Sequence, residues 1–164
     1  PGERGPWAVG ARTVEIPNSR WGSLRAEIWY PALMGSESGA FKKRYDMRQY
    51  LPAEYADNIP DDAEPFQECD CYDGLPIDTE NGPFPVIVFI HGFASFRTQS
   101  ACLNTHWASR GFVVVSADHP RIQLKDILSN LFLRFGATQA QDTVDIISRL
   151  QKPDGELLFL GGAY

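Results

Sequence analysis

Residues 84–119 read FPVIVFIHGFASFRTQSACLNTHWASRGFVVVSADH, and the order of elements in this stretch decides the fold. Val86 to Ile90 is an unbroken apolar run rich in β-branched side chains, bounded by Pro85 and by His91-Gly92, the pattern of a strand covered on both faces. Phe112 to Ser116 repeats that pattern around Val113, Val114 and Val115. Between them, Ser100 to Arg110 reads as a helix, and Gly111 stands where a helix end needs a residue able to adopt the left-handed C′ conformation. Strand, helix and strand make a β-α-β unit, with parallel strands and a right-handed crossover.

Upstream, Ala11 to Ile16 and Leu24 to Tyr30 read as two strands joined by the turn residues Pro17-Asn18-Ser19, a hairpin expected at the edge of a sheet. Pro31 to Pro83 reads as a long polar insertion, with a short helix expected somewhere in Tyr45 to Tyr55. A stretch of that length inside a domain is usually functional or ordered by its neighbours, and here it is expected to wall one side of a site. Downstream, Leu124 to Phe135 reads as a helix, and Thr138 to Leu150 as another with Ala140, Val144, Ile147 and Leu150 near helical spacing. Pro153-Asp154-Gly155 supplies a turn, and the apolar run Leu157 to Leu160 is broken by Gly161-Gly162.

Composition narrows the possible functions. The 164 residues are 43% apolar, with ten Phe and four Trp, enough to bury a substantial core. The longest apolar run falls well short of the roughly 20 residues a membrane span needs. Twenty-one acidic residues against fifteen basic ones give a net charge of −6, which argues against a nucleic-acid partner, and Lys42-Lys43-Arg44 is too short a cluster to reverse that. Three cysteines allow one internal disulfide at most. Cys69-Asp-Cys71 lacks the C-x-x-C spacing of zinc and redox motifs, leaving Cys69 or Cys71 to pair with Cys102, a pairing outside the chain, or three free thiols. The chain begins at Pro1 with no initiator Met and no signal peptide, which reads as a processed or trimmed start, and a secreted or periplasmic protein is favoured.

The chemistry is expected at the carboxyl end of the 86–90 strand, where parallel sheets place their ligands. There a glycine turn, His91-Gly92-Phe93-Ala94, is suited to aim the N–H of Phe93, and with it that of Ala94, at an anion. Gly92 and His91 position the turn, and Phe93 and Ala94 would flank bound substrate. The ordinary alternative is a strand-to-helix turn with a packed Phe. Asp118-His119 could pair as base and orienter, or join His91 as metal ligands, but neighbours on a strand point to opposite faces and do not converge. Ser95 and Ser100 are expected to bond locally rather than act as nucleophiles.

Four pieces of the chain, GPWAVGARTVEI, LRAEIWYPA, PFPVIVFIHGFASFRTQ and HWASRGFVVVSADHP, resemble in order the α/β-hydrolase superfamily. Within it they are similar to bacterial esterases akin to platelet-activating-factor acetylhydrolases, dienelactone hydrolases and cutinase-like polyester hydrolases. The resemblance implies the N-terminal half of an α/β-hydrolase fold, a mostly parallel central sheet with an antiparallel N-terminal hairpin. It implies a carboxylic-ester hydrolase in which Phe93 donates one oxyanion-hole N–H, no cofactor or metal is used, and a small ester or polyester is the substrate.

The chain departs from that family at the nucleophile, since it contains no G-x-S-x-G, and Gly35-Ser36-Glu37-Ser38-Gly39 places Glu where Ser belongs. Residues 1–164 therefore read as the N-terminal portion of one domain, whose nucleophilic Ser, acid and His come from a companion chain carrying the C-terminal half, or from a missing segment. Tyr164 would then mark a nick in a surface loop. The strand at 86–90 would expose an apolar edge where the nucleophile strand belongs. The competing expectations are a catalytically inactive hydrolase-like protein that binds through this edge, and, further off, a metal-dependent hydrolase using His91, Asp118 and His119.

Overall fold

The computed structural model describes residues 2–130, 139–161, 163 and 164. Its elements run β1 (Val9–Asn18), β2 (Gly22–Pro31), β3 (Lys42–Asp46), α1 (Ala53–Ala56), β4 (Phe66–Asp73), β5 (Val86–Phe89), α2 (Ala101–Ala108), β6 (Val113–Ala117), α3 (Leu124–Leu128) and α4 (Gln139–Gln151). Short 3-10 turns cover Met47–Tyr50, Asp61–Ala63 and Gly155–Leu160. The six strands form one mixed sheet in the order β3-β4-β1-β2-β6-β5, with β5 and β6 parallel and the β1-β2 hairpin antiparallel.

Strand alternation sorts the apolar residues into two cores. Val113, Val115 and Ala117 of β6 join Val14, Ile16, Leu24, Ala26, Ile28 and Tyr30 on the face covered by Ile146 and Leu150 of α4 and by Leu157 and Leu160. Val114 faces the other way, with Val9, Ala11 and Trp29, against Ala101 and Ala108 of α2. Each fully buried valine of this strand contributes about 1.5–3 kcal/mol. Gly111 closes α2 with φ +91°, as its placement after the helix requires.

Several expectations change in three dimensions. The hairpin does not lie at a sheet edge, because β2 pairs with β6 on one side and β1 pairs with β4 on the other. The polar stretch 31–83 supplies the two outer strands and α1, so much of it is framework. Its polarity reflects one-sided burial, as in β4, where Cys69 and Cys71 are buried and Glu68 and Asp70 exposed. The basic cluster of β3 is spent on neighbours: Lys42 pairs with Asp70 at 3.1 Å, Lys43 with the buried Glu27 at 2.8 Å, and Arg44 lies over the Phe66 ring. Cys69 and Cys71 are bonded to each other, while Cys102 is free and exposed. None of the three alternatives left open by the sequence holds, because residues two apart on a strand share a face and Cys69 and Cys71 meet there.

Helix α3 ends at Leu128, and the rest of the helix expected to Phe135 runs into residues 131–138, outside the described residues. Helix α4 buries Asp142, Ile146 and Leu150, whereas Val144 and Ile147 are exposed. The apolar spacing Ala140, Val144 and Ile147 thus marks a second face of the helix, turned away from this core. Strand β5 is half-buried along its length, not enclosed, because among the described residues β6 is its only ladder partner.

Candidate functional site

The turn that follows β5 is tied to the segment that follows β6. Ladder pairing lapses after Phe89 and Ser116 and resumes at a parallel bridge between Ser95 and Gln123. The N–H of Ala94 donates to the Ile122 carbonyl at 2.9 Å, and that of Leu124 donates to the Ser95 carbonyl at 3.0 Å. Phe93 lies just before these fastenings and is 66% exposed beyond the carboxyl end of the strand. The Ala94 N–H is thereby engaged within the chain. The left-handed residue of the turn is Ala94, with φ +55°, not Gly92. A Cβ at Gly92 would meet nothing within 4 Å, so within this chain neither strain nor crowding requires glycine there.

His91 is buried and links the two strand ends. Its Nε2 accepts the backbone N–H of His119 at 3.1 Å, which leaves the proton on Nδ1, donated to the Gly92 carbonyl at 2.8 Å. Burial pushes the His91 pKa below its ordinary value, partly offset by the bond to Gly92, and the ring is neutral at pH 7. Gln139 at the start of α4 donates to the His91 carbonyl at 3.1 Å. His119 turns its Nδ1 to Asp142 of α4 at 3.1 Å, and the other oxygen of Asp142 accepts from Asn18 in the hairpin turn at 3.1 Å.

Asp118 points the opposite way from His119 and holds Arg97. Its Oδ1 accepts the backbone N–H of Arg97 at 2.8 Å and its Oδ2 the guanidinium at 2.5 Å. The guanidinium also donates to Gln49 at 2.5 Å and lies over the Tyr50 ring at 5.0 Å. Tyr50 in turn stacks on Phe96 at 4.1 Å and shares a 2.7 Å hydrogen bond with Thr98. Burial alone would lower the Arg97 pKa, but the Asp118 charge and its hydrogen bond, with smaller help from Tyr50 and Glu27, outweigh it and the net shift is upward. Burial lifts the Tyr50 phenol to about 12. Through Gln49 and Tyr50, the stretch expected to wall the site does pack against this turn.

His91, Asp118 and His119 serve three different partners and do not converge as a ligand set. Among the described residues no group of three or more His, Cys, Asp or Glu is placed to hold a metal ion. Ser95 is buried with its hydroxyl donated to Gln99, a local bond of the kind expected for it. Arg97, Gln49 and Asp142 are not singled out by the sequence, and Asn18 only as a turn residue. Of these only Asp142 carried a signal, an acid four residues before Ile146 and eight before Leu150 on one helical face.

Among the described residues the sheet ends at β5, and there a cavity of about 660 Å³ is lined by Val86, Val88, Ile147, Leu150, Leu160 and Tyr164. The outward face of α4 and one face of the last strand thus share an apolar trough next to the open ladder.

Residues 64–123, which hold the β5-α2-β6 unit and both fastened turns, match the family model described as platelet-activating factor acetylhydrolase, isoform II. No match was found among curated proteins. Among solved structures the chain is similar to a ferulic acid esterase from Streptomyces cinnamoneus, with a TM-score of 0.60 and 21% identity over 96% of this chain and 50% of that one. The chain spans about half the length of that relative. At this identity the likeness is one of fold: over the half of that structure it spans, the chain shares its mixed α/β architecture.

Proposed function

We propose that this chain forms the oxyanion side of a carboxylic-ester hydrolase site, completed by a nucleophilic Ser, an acid and a His carried on a companion chain or a further segment of the same polypeptide. The observation that carries this reading is the fastened turn 92–97 at the carboxyl end of β5, a strand that among the described residues pairs on one side only. The family match over the same turn and the esterase likeness support it.

In this reading the Ser attacks the ester carbonyl, the His takes the hydroxyl proton, and the carbonyl oxygen becomes an oxyanion held in part by the Phe93 N–H. Collapse expels the alcohol, which receives that proton, and leaves an acyl-serine. Water, deprotonated by the same His, then releases the carboxylic acid and regenerates the Ser. The Ala94 N–H is engaged within the chain, so the turn is proposed to contribute a single donor, the Phe93 amide, with a second donor supplied from the companion part. Loss of one such donor costs about 10²–10³ in rate. Small esters or polyesters are the proposed substrates, and the exposed Phe93 ring would flank the acyl group.

A fluorophosphonate probe applied to the chain together with whatever copurifies tests the reading. Labelling of a serine outside residues 1–164, with ester hydrolysis lost in parallel, is expected. Absence of both labelling and esterase activity, with the chain running as a folded lone species of 18.3 kDa, would favour a binding protein instead.

A further inference from the structure

The chemistry proposed above rests on a backbone amide, and a backbone amide is placed by whatever holds its chain on either side. Behind Phe93 stands β5; ahead of it the chain is pinned at Ala94 and Ser95 by main-chain bonds, and next at Arg97. At Arg97 the fastening is a carboxylate. One residue, Asp118, takes both the main-chain N–H and the guanidinium of Arg97 on separate oxygens. Arg97 is 2% exposed and Asp118 6%, so this charge-assisted pair works out of water, where such bonds are stiff and their loss is felt. The guanidinium is braced from the far side by Gln49 and Tyr50, and the Tyr50 ring lies on Phe96. Residues 96–98 are thus gripped from the end of β6 and from the 3-10 turn before α1.

Stability alone explains this arrangement poorly. A buried ion pair is often no better for stability than an apolar pair of the same volume. Only a polar acceptor can fix a backbone N–H, and this one fixes it four residues beyond the proposed oxyanion donor.

We propose that Asp118, acting through Arg97, is a positioning residue for the oxyanion turn, setting where the Phe93 amide stands when charge develops. It touches no substrate. The inference depends on the esterase reading, and a misplacement of about 1 Å in a group of this kind costs up to about 10²-fold in rate.

The test uses the complete enzyme, with companion part present, and compares Asp118→Ala, Asp118→Asn and Arg97→Lys with wild type. Asp118→Ala removes both acceptors, Asp118→Asn keeps a neutral acceptor for the Arg97 N–H, and Arg97→Lys keeps the main-chain bond while thinning the ionic one. The expected losses in kcat fall in that order, largest for Ala at up to about 10²-fold, with KM held within about twofold. Affinity for a boronic acid, which mimics the tetrahedral intermediate, should fall in step with kcat/KM. Affinity for the carboxylate product should not.

A merely structural role predicts instead that activity tracks thermal stability across the three variants with no change in boronate preference. That result, or folded variants with wild-type kcat, overturns the inference while leaving the esterase reading standing. If Asp118→Asn also fails to fold, the residue acts on folding and the inference likewise falls. A wild-type enzyme with neither labelling nor hydrolysis would remove the esterase reading, and this inference with it.

Discussion

The backbone N–H of His119 donates to Nε2 of His91, joining the ends of two parallel strands through a side chain where their ladder has already lapsed. This bond fixes the tautomer of His91 and commits its other nitrogen to Gly92, so the imidazole serves as a strut. The His-Gly pair at this turn therefore has a structural explanation of its own, beside any part in catalysis.

Stability should weaken on mild acidification. The folded His91 pKa lies below its ordinary 6.5, so as pH falls through 6.5 the unfolded chain binds a proton that the folded chain refuses, and the native state loses ground until the folded pKa is reached. The slope from this one group is at most about 1.4 kcal/mol per pH unit. The carboxylates with lowered pKa, Asp46, Asp78 and Asp145, titrate below 3.8 and do not enter this window. Denaturation curves from about pH 7.5 to about pH 5 should show the loss, and His91→Gln, which keeps an acceptor for the His119 N–H, should flatten it. An unchanged slope in the variant would refute the assignment.

Asp142→Ala should destabilise the fold by about 2–4 kcal/mol, because it strips buried partners from both His119 and Asn18. The effect should be read by urea denaturation. Asp142→Asn, able to serve one partner at a time, should fall between; a cost near zero for the Ala variant would show that the network adds nothing.

Gly92→Ala separates folding from function. The new methyl enters open space and Gly92 does not have positive φ, so stability should change by less than about 1 kcal/mol. On the proposed function the same methyl would stand where substrate and companion part approach in the complete enzyme, and kcat/KM should drop at least about tenfold. Equal activity of the two proteins would show that nothing approaches Gly92 closely.

The apolar trough beside β5 is proposed to receive the companion part. Ile147→Glu places a charge on its α4 wall at a residue already 43% exposed, so the isolated chain should keep its melting temperature. Association with the companion part, followed by sedimentation, should weaken at least about tenfold, since an unpaired charge buried in an apolar contact costs more than about 1.4 kcal/mol. Undiminished association would place the contact elsewhere.

The β-α-β unit could be read in the sequence because buried strands declare themselves locally, by β-branched runs such as Val113 to Val115 and by punctuation such as Gly111. The outer strands could not. Lys42–Asp46 and Phe66–Asp73 carry the polar residues of half-exposed strands and look like loop until the second is placed beside β1 and the first beside the second. In α4 the spacing was right for a helix but did not separate its faces, since Leu150 is buried while Val144 and Ile147, as apolar as the buried Ile146, are exposed. Periodicity reports that a helix has an apolar stripe, not which neighbour covers it.

Much the same division runs through the site. The chain's own order of residues determined that a glycine turn follows a central-type strand and that Phe93 stands at its carboxyl end, because those are facts of adjacency. Only the tertiary structure decided that Ala94, not Gly92, takes the left-handed conformation, that Asp118 grips Arg97, and that His119 reaches Asp142 and, through it, Asn18. Those pairings join residues 21 to 124 positions apart, and hydrogen bonds of a few ångströms depend on where the sheet brings the chain back, which no local pattern encodes.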